Sequence, residues 1–448
     1  MKPLTSLVGP ATTRGAMALA GLVAVLFLAA FLSYEASAQL VTGRLSTSLY
    51  SWEKFDTVNT SKVYVRGFQT VQLTAAQGDV SLQTYFTGAI ATPDQAALVR
   101  LYNLYLRWAN IGQKLDLNFG RQAVYAGVGT GTIDGLSAKV RLLEEKVTLL
   151  GFAGAAPQIG YRGVRKNFGE NLSFGGQLVT TLLPGARVGV SYLNRREERD
   201  PYWTLRARDT SYIPTPYYVT FEPEAEQLLG GDVYYTYHTL FSVYGRYDHD
   251  LTYQRVSRAQ GGFRVNVTEQ FAVTGDYMHR LPRIGYNSIF SAFVQNAVDE
   301  IEGGLEYSFA PLLRVFGRVA SVKYSDDNSA RWTVGFNAGY GVVSYSGGNG
   351  YAGELQSINL QGSYPLMENT LIPSAGISYA SYRLDKDAAK DNAWSFLLGG
   401  TYHPAPAFSI DLQGQWLANK VYSRDIRGFL KFNYWFKERL ALFGREGM

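Results

Sequence analysis

The stretch AWSFLLGGTYHPAPAFSIDLQGQWLA, Ala393 to Ala418, decides the fold. In its first half Trp394, Phe396, Leu398, Gly400 and Tyr402 share one face, while Ser395, Gly399, Thr401 and His403 share the other with Leu397. A period of two means strand. Pro404, Ala405 and Pro406 interrupt the ladder, and Phe408, Ile410, Leu412, Gly414 and Trp416 then alternate with Ser409, Asp411, Gln413 and Gln415. Two antiparallel strands joined by a tight turn follow. Each pairs an apolar face, aromatic near its ends, with a face of hydroxyls, amides and an acid, the pattern of a strand held between lipid and water.

The rest of the chain is consistent with many copies of that hairpin. Of 448 residues 46% are hydrophobic and only 18% charged, with 32 tyrosines and 47 glycines. Tyrosine suits membrane interfaces and glycine suits strand corners. With no cysteine at all, thiolate metal sites, disulfides and c-type haem attachment are excluded. The net charge of +5 is modest and forms no stripe that would bind nucleic acid. HExxH, Walker A, GxSxG and EF-hand patterns are absent, so neither a cofactor nor a metal is expected.

Lys2 and Arg14 precede an apolar run from Ala16 to Leu32, and Ala36, Ser37 and Ala38 form a small-x-small cleavage pattern. Residues 1–38 therefore read as a signal peptide for Sec-type export, cut before Gln39. No later run approaches the ~20 apolar residues of a helical span. Membrane integration must use strands.

From Gly43 onward short linkers alternate with longer ones. Ala75–Asp79, Ile111–Lys114, Glu144–Lys146, Leu183–Ala186 and five later stretches read as periplasmic turns; Thr92–Leu98, Ala126–Gly135, Pro157–Asn171, Glu198–Glu226 and others read as extracellular loops. The expectation is an all-β, transmembrane, antiparallel up-and-down barrel over residues 39–436, of about 22 strands with a range of roughly 18 to 22. The range reflects Trp332–Ser346, which reads as one long strand or two short ones. Strands begin almost at Gln39, leaving no room for a plug domain. Gly428, Leu430, Phe432, Tyr434 and Phe436 make a final strand that resembles the aromatic-ended last strand of bacterial outer-membrane barrels. Here residues 437–448 follow it and read as a short periplasmic extension. The resemblance is to the porin-like barrel superfamily, and it implies the outer membrane of a Gram-negative-type bacterium.

Within the chain Phe119, Gly120, Arg121, Gln122, a Gly-rich loop and then Asp134, Gly135 resemble a segment of many porins in which a nearby loop folds inward and narrows the pore. That resemblance implies a constriction at Arg121 and Asp134. Alternation sets Arg121 on the lipid side with Phe119, so either the chain bends near Gly120 or the arginine sits among lipid headgroups.

Inward-facing charges are expected at Arg107, Asp116, Lys139, Arg141, Asp232, Arg264, Asp276, Glu302, Glu306, Arg314, Arg318, Asp411 and Lys431. Both signs occur, and cross-strand pairing of Glu302 and Glu306 with Arg314 and Arg318 would leave a mild anion preference at most. The Glu198–Glu226 loop combines Arg206 and Arg208 with Tyr202 and Trp203, a mixture suited to contacting solutes or to packing a loop on itself. Asp248, His249 and Asp250 stand at an outer strand end, where an imidazole between carboxylates would serve a surface hydrolase. Three functions follow in order of support: a passive, non-enzymatic pore for small hydrophilic solutes; a wide sleeve around a periplasmic or surface partner, such as a multihaem electron carrier; and a hydrolase. The expected surroundings are outer-membrane lipid and solutes, without nucleic acid.

Overall fold

The computed structural model describes residues 39–440 except 56–60, 93–94, 159, 161–162, 164–166, 199–200, 208–213, 221–224, 283–295, 326, 351–352 and 385–386. The segment expected to be a signal peptide and residues 441–448 lie outside the described residues.

Alternation of the kind seen at Ala393–Ala418 recurs in strand after strand, and one-sided apolar faces can all be buried in lipid only if the sheet closes on itself. It does so. Twenty-two antiparallel strands, each bonded to its neighbours in sequence, form one sheet. The first strand, Gln39–Phe55, pairs with the last, Asp425–Leu440, in an unbroken register from Gln39↔Leu440 to Ser51↔Gly428. This final strand runs four residues beyond Phe436, so Lys437–Leu440 belong to the barrel wall rather than to an extension. Among the described residues there is no α-helix, and a 3-10 turn stands at Gly169–Asn171.

Connections alternate in length around the barrel. One rim carries tight turns such as Gly78–Asp79, Gly112–Lys114 and His238–Leu240, and the other carries the long loops. Trp332–Ser346 resolves into two strands, Asn328–Asn337 and Gly341–Asn349, because Gly339 at φ 76° turns the chain between them. In the opening hairpin the ladder resumes at Ala405↔Phe408 after an irregularity beyond Tyr402, which moves the turn to Pro406–Ala407. Beyond the long-loop rim, Tyr202–Ala207 and Pro214–Val219 form a separate two-stranded hairpin.

The outward face is a belt of exposed Leu, Val, Ile and aromatic side chains, among them Leu49, Val190, Ile301, Val319, Leu398 and Leu412. Exposed apolar surface of that extent belongs in a bilayer. The inward face carries the charges and amides. Twenty-two strands spaced about 4.8 Å apart and tilted ~40° give a backbone diameter of roughly 45 Å.

Candidate functional site

One ribbon departs from the wall. Its strands, Leu115–Ala126 and Gly129–Leu142, pair with each other along their whole length, from Leu115↔Val140 to Ala126↔Gly129. The strand on one side, Leu98–Ile111, stays with it only to Arg121, and the strand on the other, Val147–Ala155, only from Asp134. Residues 122–133 therefore have no outside ladder partner. The stretch expected to be a Gly-rich loop is instead a two-stranded ribbon with a turn at Gly127–Val128: glycine and threonine carry too little hydropathy contrast to register as strand.

The ribbon's apolar side chains show where it goes. Val124, Ala126, Val128 and Ile133 are buried against Phe152, Leu193 and Leu228, with Leu150 alongside. Those wall residues share parity with inward groups: Leu193 with Ser191 and Arg187, Leu228 with Asp232, while Val190 and Leu229 between them face lipid. At the tip the Val128 N–H donates to Ser191 Oγ at 3.0 Å. The ribbon thus folds into the lumen and lies on the inner wall. Burial of Val124, Val128 and Ile133 there contributes about 1.5–3 kcal/mol each.

Two glycines make the corner. Gly120 has φ 124°, and a Cβ on it would stand 2.4 Å from the Leu104 carbonyl; one on Gly135 would stand 2.2 Å from that of Ala153. Only glycine permits so close a backbone approach. Beyond this bend the outward parity of the wall becomes the lumen-facing parity of the ribbon. Phe119 is 67% exposed to lipid, whereas two residues on Arg121 is 5% exposed, and at Tyr125, 76% exposed, the side chain stands in the lumen.

Arg121 clamps the bend. Its Nε and Nη2 donate to the two Asp134 carboxylate oxygens at 2.6 and 2.7 Å, its Nη1 to the Leu101 carbonyl at 3.1 Å and its Nη2 to that of Gly163 at 2.6 Å. One guanidinium joins both ribbon strands, the neighbouring strand and the loop after Ala155. Beside it, Gln122 donates to Asn118 O and Gly135 O and accepts from Ser137 Oγ at 2.6 Å, satisfying an amide that is otherwise fully enclosed. Arg121 and Asp134 thus sit at the bend where the ribbon leaves the wall, and the tip, Tyr125–Thr130, reaches into the lumen.

Most of the other inward acids are paired across strands or held by neutral donors. Asp116 accepts from Arg141 at 2.7 Å and from Arg107 at 3.4 Å. Asp232 meets Arg187. Glu306 meets Arg264 at 2.8 Å, Arg314 at 3.3 Å and Arg318 at 3.6 Å, and Glu302 meets Arg318 at 3.8 Å and Arg331 at 3.0 Å. Asp276 accepts from Tyr244, and Asp411 from Thr401 and Asn433. Lys139 shares the inward parity of Ser137 and Arg141, and Lys431 lies opposite Asp411 in register.

Two expected constellations are not assembled. Asp248 is 2% exposed and faces inward with Arg246 at 3.0 Å, Asp250 caps the N–H groups of Thr252 and Tyr253, and His249 points outward beside Tyr247. Strand alternation separates the imidazole from the carboxylates, and no acid–base pair forms. Tyr202 and Trp203 are exposed on the outlying hairpin, where Trp203 packs on Tyr218 at 5.0 Å; the Arg206 side chain and Arg208 lie outside the described residues.

Fold and site together define a closed transmembrane barrel whose polar lumen is narrowed by a ribbon of its own wall. No protein-family model matches the chain, and no curated protein does. Solved structures similar to it include OccAB4 of Acinetobacter baumannii, at 10% identity over 90% of this chain and 99% of that one, TM-score 0.42. A BenF-like porin from Pseudomonas fluorescens Pf-5 is similar at 9% identity over 89% and 99%, TM-score 0.40. The translocation pore of the P pilus usher PapC is similar at 8% identity over 88% and 99%, TM-score 0.44.

Proposed function

We propose that this chain is an outer-membrane channel for passive diffusion of small hydrophilic solutes, with the short turns on the periplasmic side and the long loops outside. One observation carries the reading: the ribbon covers a single sector of the lumen. A two-stranded layer is about 10 Å thick, against a diameter of roughly 45 Å. A water-filled path remains beside it, lined by hydrogen-bonded polar groups. Because most inward charges are already paired, the field along that path is weak, and the small surplus of arginine leaves a mild anion preference.

The sleeve reading has less support, since a partner filling the lumen would have to displace the ribbon and uncover Leu193 and Leu228. Single-channel recording from residues 39–448 refolded into a planar bilayer tests the proposal. Steady conductance with a small, anion-signed reversal potential in a salt gradient is expected; a silent barrel would overturn it.

A further inference from the structure

Beside the ribbon tip lies a cavity of about 400 Å³, lined by Tyr125 and Thr130 from the ribbon and by Gln177, Asp232, Arg246 and Gln260 from the wall. We propose that it is a subsite for neutral polyhydroxylated solutes, sugars of one or two rings, on the path through the barrel. The proposal rests on the channel reading.

The chemistry of the lining selects the class. Each arginine at the cavity already has a carboxylate: Arg187 holds Asp232, and Arg246 holds Asp248 at 3.0 Å. Among the lining residues a charged solute would find no free counter-charge and would have to break an existing pair, which disfavours it, and Arg258 just beyond them is turned onto Gln260 Oε1. Hydroxyl groups meet no such obstacle, because a carboxylate in an ion pair keeps lone pairs for them and the amides of Gln177 and Gln260 offer both donors and acceptors. Gln260 in turn donates to Tyr244 OH at 3.0 Å, which donates to Asp276 at 2.5 Å, so the amide's orientation is fixed by the wall. The Tyr125 ring, 76% exposed, supplies an open aromatic face on the ribbon side, with Tyr234 and Tyr244 on the wall side of the same cavity. Aromatic faces of this kind suit the C–H face of a sugar ring, while hydrogen bonds take its edge.

The opposite wall agrees. Strands Glu354–Ser363 to Phe408–Ala418 lie half a turn around the barrel from the ribbon's seat. Inward of their lipid-facing Ile358, Ile377 and Leu412 they present Ser357, Asn359, Ser378, Gln413 and Gln415, and Asp411 there is held by Thr401 and Asn433. A solute passing between ribbon and far wall meets hydroxyls and amides on one side and neutralised charge on the other.

Current recordings test this with three probes on the same channel: maltose, the anion gluconate and the zwitterion glycylglycine. Maltose is expected to block the ionic current in a saturable manner while the other two do not, and Tyr125→Ala is expected to weaken the block about tenfold, with Tyr125→Phe retaining most of it. Block by gluconate or glycylglycine in preference to maltose, or a maltose block untouched by Tyr125→Ala, would overturn the sugar subsite while leaving the channel intact. A wild-type barrel that carries no current would overturn both readings together.

Discussion

The hairpin Asp391–Ala418 and the ribbon Leu115–Leu142 are built from the same alternation, yet they end in different places. In the first, every second residue faces lipid from rim to rim. In the second the alternation is equally regular, but the Gly120–Gly135 corner turns the whole ribbon, and the parity that faced lipid at Phe119 faces the lumen at Tyr125. Period-two patterning fixes a side chain's face relative to its own strand. It fixes nothing relative to the membrane once the strand leaves the wall.

Arg121→Met breaks the contrast most severely. It leaves Asp134 enclosed without its guanidinium, a loss of about 3–5 kcal/mol where a partner is removed from a buried pair. Because the chain has no cysteine, a single Ser191→Cys, covered by the ribbon tip, reports the outcome: maleimide should label it slowly in an otherwise native barrel and ~100-fold faster with Arg121→Met. Adding Asp134→Leu should recover much of the protection, as an apolar replacement of the whole pair removes the stranded charge.

Gly135→Val acts on the corner itself. Its Cβ would lie 2.2 Å from the Ala153 carbonyl, so the ribbon must part from the strand beside it at a cost of about 1–3 kcal/mol. A lower urea midpoint with an unchanged slope, together with a larger single-channel conductance, is the expected pair of results. Retention of the wild-type conductance would mean the corner survives without glycine.

The smallest effect sharpens the comparison from the other side. His249 has the same outward parity as Arg121 but stands on a strand that stays in the wall. His249→Ala should therefore change stability by no more than about 0.5 kcal/mol in a thermal melt.

Much of this was legible in the residues. Aromatic-ended alternation gave the hairpins, the wet interior and a strand number near that observed. The ribbon escaped because Gly127–Gly135 has little hydropathy contrast, yet its register was available: a turn at Gly127–Val128 sets Arg121 directly opposite Asp134. Its seat had a signal too. Leu149–Leu150 and Leu228–Leu229 are adjacent leucines, apolar on both faces where one face should be polar. Here those doublets mark the inward surface that the ribbon covers, although Leu397–Leu398 on the far wall shows that a doublet alone does not require a cover. What covered it depended on a bend, and a positive φ at one glycine leaves no trace in periodicity.

The pairing of the first strand with the last bears on how the barrel comes to exist. Ser46 bonds Asn433 across 387 residues of chain, and Asn433 passes the contact on to Ser409 and Asp411. No local event can form that seam. Every hairpin between must take its register before the two edges meet, and until they do, both expose unpaired N–H and C=O groups to lipid. Ring closure is then the slow, late step of assembly, governed by contact order rather than by the strength of any single pair.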